Sequence, residues 1–113
     1  MVLKKKITFD ELLQNLNHYY PDRIKFCVDR KRRTVSVDRE MHIEMEHELY
    51  DDGSDYKDIF GGDIMTEEEG LDIVWEAHPN IERNHELAIG AGRELTDPVM
   101  IDELTGILQE WIV

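Results

Sequence analysis

Fourteen consecutive residues, YDDGSDYKDIFGGD (50–63), hold five aspartates and three glycines. Carboxylates separated by residues that permit tight turns are the usual material of a hard-cation site. Calcium takes about six to eight oxygen ligands, and magnesium an octahedron of them. Asp51, Asp52, Asp55, Asp58 and Asp63 would supply the oxygens for Ca2+ or Mg2+, and Gly53, Gly61 and Gly62 the turns. The stretch is not an EF-hand. Counted from Asp51, Tyr56 falls where that loop needs glycine and Gly62 where it needs glutamate; counted from Asp52, Lys57 takes the glycine position. The competing reading is a solvated connection whose aspartates cap turns and helix ends, the commoner use of such residues.

A second candidate patch gathers His42, Glu46, His47 and Ser54. HIEMEH is one residue too long for the H-x-x-E-H zinc pattern. Glu44 with His47, and Glu82 with His85, match the E-x-x-H spacing of di-iron carboxylate bundles. That arrangement needs four inward-facing helices, and the second pair falls in a loop-like segment. His42 or His47 acting as general base beside the aspartates would make a small metal-dependent hydrolase, provided the base reaches a reacting group. Nucleophilic chemistry has weaker support. Cys27 sits mid-strand, where packing is the usual role, and Ser36 and Ser54 lie in no nucleophile elbow. GAGRE lacks the lysine of a phosphate-binding loop and is too short for a dinucleotide fingerprint. The leading expectation is therefore a non-catalytic binding module.

Charge suggests the kind of partner. Up to Arg39 the chain holds ten Lys/Arg against five Asp/Glu; from Glu40 onward it holds three against 21. The acidic part repels a phosphate backbone, so no nucleic acid is expected there, and a basic protein partner is. The block RKRR (30–33) reads as a charged hairpin turn that offsets part of this acidity, although it has the chemistry to touch a phosphate.

These candidates need elements to hold them. A chain of 113 residues is expected to form a single domain over 1–113. One cysteine cannot close an internal disulfide, and MVLKKK leads into no apolar signal, so a reducing cytoplasmic setting is expected. No apolar run is long enough to span a membrane. Thr8 and Glu11 form a capping box that starts a helix over 8–19, which Pro21 ends. RIKFCVD and TVSVD alternate as a hairpin, with Lys25 and Cys27 on a partly wet face. REMHIEMEHELY suits either a strand or a helix; charged helix formers and a stop at Gly53 favour the helix. GDIMT and LDIVWEA read as a second hairpin. Residues 78–94 contain Pro79, Gly90 and Gly92 and read as an irregular loop. Asp97 and Pro98 then open a helix with a continuous apolar face, in which Gly106 suggests a close helix–sheet contact. Trp75, Trp111, Met41, Met45, Met65 and Met100 are expected in the core. The fold class is α+β: a four-stranded, mostly antiparallel sheet in α-β-β-α-β-β-α order, with the helices packed on one face.

IKFCVD, the His42 segment running into ELYDDGSDYKDIFGGDI, and DPVMIDELTGILQEWI together resemble a small prokaryotic domain-of-unknown-function family. The matching positions are His42, Asp52, Gly53, Ser54, Asp58, Ile59, Phe60, Gly61 and Asp63, and the chain departs from the pattern at 30–33 and 84–93. The resemblance implies no established activity. It supports the fold and draws attention to 42–63.

Overall fold

The two alternating runs fold as antiparallel strands β1 (Arg23–Asp29) and β2 (Thr34–Val37). The computed structural model describes residues 1–67, 71–76, 95 and 97–113. The expected irregular loop at 78–94, and Glu82 with His85, lie outside the described residues. Strands β3 (Ile59–Met65) and β4 (Asp72–Glu76) complete one sheet in the order β2-β1-β3-β4, every pairing antiparallel. Helices α1 (Phe9–Asn15), α2 (His42–Asp51) and α3 (Pro98–Trp111) take the positions the sequence order requires, and a short 3-10 turn spans Tyr56–Asp58. The α+β class, the antiparallel sheet and the element order are as expected.

The placement of the helices is not. Phe26, Val28, Val37 and Ile64 on one face of the sheet meet Leu12 of α1 and Leu104 and Ile107 of α3. On the opposite face Cys27 and Ile59 meet Met45 and Leu49 of α2. The helices therefore lie on both faces. The reason is side-chain size: Cys27, Ser36 and Gly61 line the second face, are all buried, and leave room for a helix to lie close.

Local chemistry explains the remaining boundaries. The Thr8–Glu11 capping box is present, but α1 stops at Asn15 and not near Tyr19. Asp38 draws the following chain away by accepting from the backbone N–H of His18 (3.1 Å) and pairing with its ring. Gly53, at φ 113°, turns the chain out of α2 as its position suggested. Asp97 caps α3 by accepting from the N–H of Val99 at 3.0 Å. Gly106 makes no close contact, since a Cβ there would meet nothing within 4 Å. Met41 is 58% exposed and not in the core.

The turn at 30–33 is built on Asp29, whose carboxylate accepts from the N–H groups of Lys31 (2.8 Å) and Arg32 (2.9 Å). Its arginines reach outward as the charge reading expected: Arg30 pairs with Glu103, Arg32 with Asp52 and Arg33 with Glu110. Near its two ends the chain meets itself. Ile7 donates to Trp111 O (2.8 Å) and accepts from Val113 N–H (2.8 Å), in a parallel bridge with Ile112. Among the described residues no helix is long and apolar enough to cross a membrane.

Candidate functional site

The five aspartates of 50–63 do not come together. Asp51 is exposed. Asp52 pairs with Lys4 (3.0 Å) and Arg32 (3.3 Å), and the Lys4 ammonium, more than any other group, holds its carboxyl below the usual range. Asp55 caps the 3-10 turn by accepting from Lys57 N–H at 3.1 Å. The backbone carbonyl of Asp58 accepts from Arg30 N–H. Asp63 is not in the loop at all: it is buried in β3, four residues beyond Ile59 and so roughly 13 Å along the strand. Among the described residues no group of three or more His, Cys, Asp or Glu side chains is placed to hold a metal ion. Asp51 faces solvent, Asp52 is held by two cations distant in sequence and Asp55 caps its own turn, so these carboxylates act separately.

The error lay in Gly61 and Gly62, which are strand residues and not turns. A Cβ on Gly62 would come 2.6 Å from Val74 O and 2.8 Å from Phe26 Cζ; on Gly61 it would come 3.0 Å from His42 Cδ2. Glycine inside a strand often marks such close approaches.

The second patch divides between two sides of α2. His42, at its first turn, points inward over Gly61, and its Nε2 lies 2.9 Å from Gly62 O. A carbonyl only accepts, so that nitrogen carries the hydrogen. Nδ1 then faces Glu76 Oε2 at 3.5 Å. Asp63 sits between Lys25 Nζ (3.6 Å from Oδ1), His42 Nε2 (3.7 Å from Oδ1) and Arg23 Nη1 (3.3 Å from Oδ2). Its Oδ1 is buried yet accepts no hydrogen bond among the described residues. Glu76 lies across the sheet on the edge strand. Burial first, then the charge of Asp63, pushes its carboxyl above the usual range, against the opposing pull of His42 and Lys25. Glu76 also hydrogen-bonds Asp63, so the two carboxyl groups share the space beside the His42 ring. The arrangement is an acid–base cluster with Asp63 buried at its centre and Glu76 partly exposed at its rim.

The outward side of α2 is different. His47 is exposed, and Tyr50, 52% exposed, stacks on Tyr56 with ring centroids 4.6 Å apart and planes 13° from parallel. The His47 ring meets Tyr56 edge-on at 6.1 Å. Asp51 and Asp55 flank the pair in solvent, with exposed Glu44 farther along the helix. Desolvation raises the Tyr56 hydroxyl, and the charges of Tyr50, Glu46 and Asp51 add to that. Glu46 and Ser54 are buried beneath this surface; Ser54 Oγ accepts from Arg32 at 3.0 Å.

Sequence reasoning missed Lys25, Glu76, Tyr50 and Tyr56. Alternation puts Lys25 and Glu76 on the face of Asp63, but only the register, Lys25 opposite Asp63 and Glu76 opposite Gly61, brings them together. Tyr50 and Tyr56 meet because Gly53 reverses the chain between them. A family model described as "Protein of unknown function (DUF5674)" matches residues 1–111, in keeping with the resemblance seen in the sequence. No curated protein and no solved structure matches the chain.

Proposed function

The chain belongs to the DUF5674 family, and from that premise we propose a non-catalytic binding module that takes a basic protein partner on the outward side of α2. The observation that carries this reading is the half-exposed tyrosine stack of Tyr50 and Tyr56 beside solvent-facing carboxylates. A guanidinium or ammonium group over a tyrosine face gains about 0.5–1 kcal/mol when exposed and about 2 when desolvated. Tyrosine is also among the residues that dominate binding energy at interfaces.

Charge supports the same side. Arg23, Arg30, Arg32, Arg33 and Arg39 each pair with a carboxylate of this chain. Asp51 and Glu44 make no ion pair among the described residues, so the excess acidity after residue 39 is left facing outward there. The direct test is titration with an arginine-rich peptide, following the amide resonances of 44–58. Tyr50→Ala should weaken binding by roughly 5–30-fold, and Asp51→Asn by less, both with unchanged melting temperature. Binding indifferent to both changes overturns the reading.

One observation favours a second reading. The unsatisfied Asp63 Oδ1, with His42, Lys25 and a Glu76 carboxyl raised toward neutrality, has the composition of a general acid–base site. On this reading His42, not His47, is the base of a small hydrolase. Phosphodiesterase and esterase screening, with and without divalent metals, against a His42→Gln control is its test. Activity that survives the substitution disposes of it.

A further inference from the structure

We propose that a cleft at the far end of α3 binds a small aromatic phosphate of the mononucleotide class. It is open to solvent, offers about 490 Å³ and is lined by Lys5, Lys6, Arg33, Glu110 and Trp111. Pockets for small organic ligands and cofactors fall in about that size range.

The lining is held from several directions. Lys5 and Lys6 lie on a segment fixed at both ends, where Leu3 donates to Val35 O (2.9 Å) and Ile7 to Trp111 O (2.8 Å). Arg33 has φ 57°, in the left-handed region that a non-glycine residue rarely takes. Two contacts hold it there: its N–H donates to Asp29 O (2.9 Å), and its carbonyl accepts from Trp111 Nε1 (2.8 Å). Backbone held in this way at a cost of roughly 1–3 kcal/mol is commonest at functional sites.

The electrostatics select an anion. Arg33 grips Glu110 through Nε (3.2 Å) and Nη2, which cancels the one carboxylate of the lining. Lys5 and Lys6 are exposed and make no ion pair among the described residues, so the cleft is locally cationic in a chain of net charge −13. The indole of Trp111 adds an aromatic surface beside those ammonium groups, fitting a ligand with a flat ring and a phosphate. A polymer is disfavoured, since one cleft offers no track and the strongly acidic remainder repels a phosphate backbone. None of the lining residues belongs to the tyrosine stack or to the surroundings of Asp63, so the proposal is tested independently of the functions proposed above.

The test follows the two indole N–H resonances during titration with adenosine 5′-monophosphate. Trp75, buried and donating to Thr105 Oγ1, is the internal reference. The expected result is a saturable shift of the Trp111 signal alone, with Kd about 0.1–1 mM. Adenosine and inorganic phosphate should each bind at least about tenfold more weakly. Lys5→Glu with Lys6→Glu should abolish the shift at unchanged melting temperature, and the milder Lys5→Gln with Lys6→Gln should weaken it. Four results overturn the proposal: no saturable shift at millimolar nucleotide, undiminished binding by the charge-reversed variant, inorganic phosphate binding as tightly as the nucleotide, or a single-stranded oligonucleotide binding more tightly than either.

Discussion

Gly62 shows how much one missing side chain decides. Any Cβ there collides with the Val74 carbonyl and the Phe26 ring, and backbone cannot step aside as a flexible side chain can. Gly62→Ala should therefore cost about 1–3 kcal/mol, the range for overpacking a filled core, read as a lower urea midpoint at unchanged slope. Glu76 makes the opposite case. Its folded pKa is raised, so between the ordinary carboxylate value and the folded value the native state holds more protons than the unfolded chain. Stability then falls as pH rises through that window, and above it the ionised carboxyl is a standing cost. Glu76→Gln should be more stable than the wild type at about pH 7, with the difference fading toward about pH 4. Denaturant midpoints at the two pH values measure it.

Helix α3 is the element most fully written in the sequence. Asp97, Pro98 and an apolar stripe at helical spacing fix its start and its buried side, and the structure agrees with each. Gly106 alone departs from expectation, because composition does not show whether a neighbour demands a glycine. With open space around it, Gly106→Ala should stabilise the protein by about 0.4–1 kcal/mol, seen as a higher melting temperature. Helix α2 was legible as a helix but not as to side. Its position depends on the small residues Cys27, Ser36 and Gly61, which read in sequence as weak strand residues and not as a floor for a helix. The same limit hid the inner cluster. His42 and Asp63 were legible as candidates. That Lys25 and Glu76 complete their surroundings depends on strand register, which no local pattern encodes. The 50–63 aspartates mislead for the converse reason: proximity along the chain is not proximity in space, and β3 carries Asp63 away from the other four.

At the scale of the molecule, net charge −13 on 113 residues is a self-repulsion that native ion pairs relieve only in part. Salt screens that repulsion, with a Debye length of about 30 Å at 0.01 M and about 10 Å at 0.1 M. It also weakens the exposed pairs, but each of those contributes no more than about 1 kcal/mol. The melting temperature should therefore rise between about 0.01 and 0.5 M sodium chloride, while affinity for a basic partner falls. A melting temperature that drops instead would mean that the pairs on Arg30, Arg32, Arg33 and Arg39 outweigh the repulsion.

The bridge that joins Ile7 to Ile112 sets a timetable for the newborn chain. A ribosome adding about 5–20 residues each second delivers the second partner roughly 5–20 s after the first. Until then Leu12 and the first sheet face wait without α3 above them, so this half of the core cannot close before α3 has been made, and apolar surface stays uncovered for that interval.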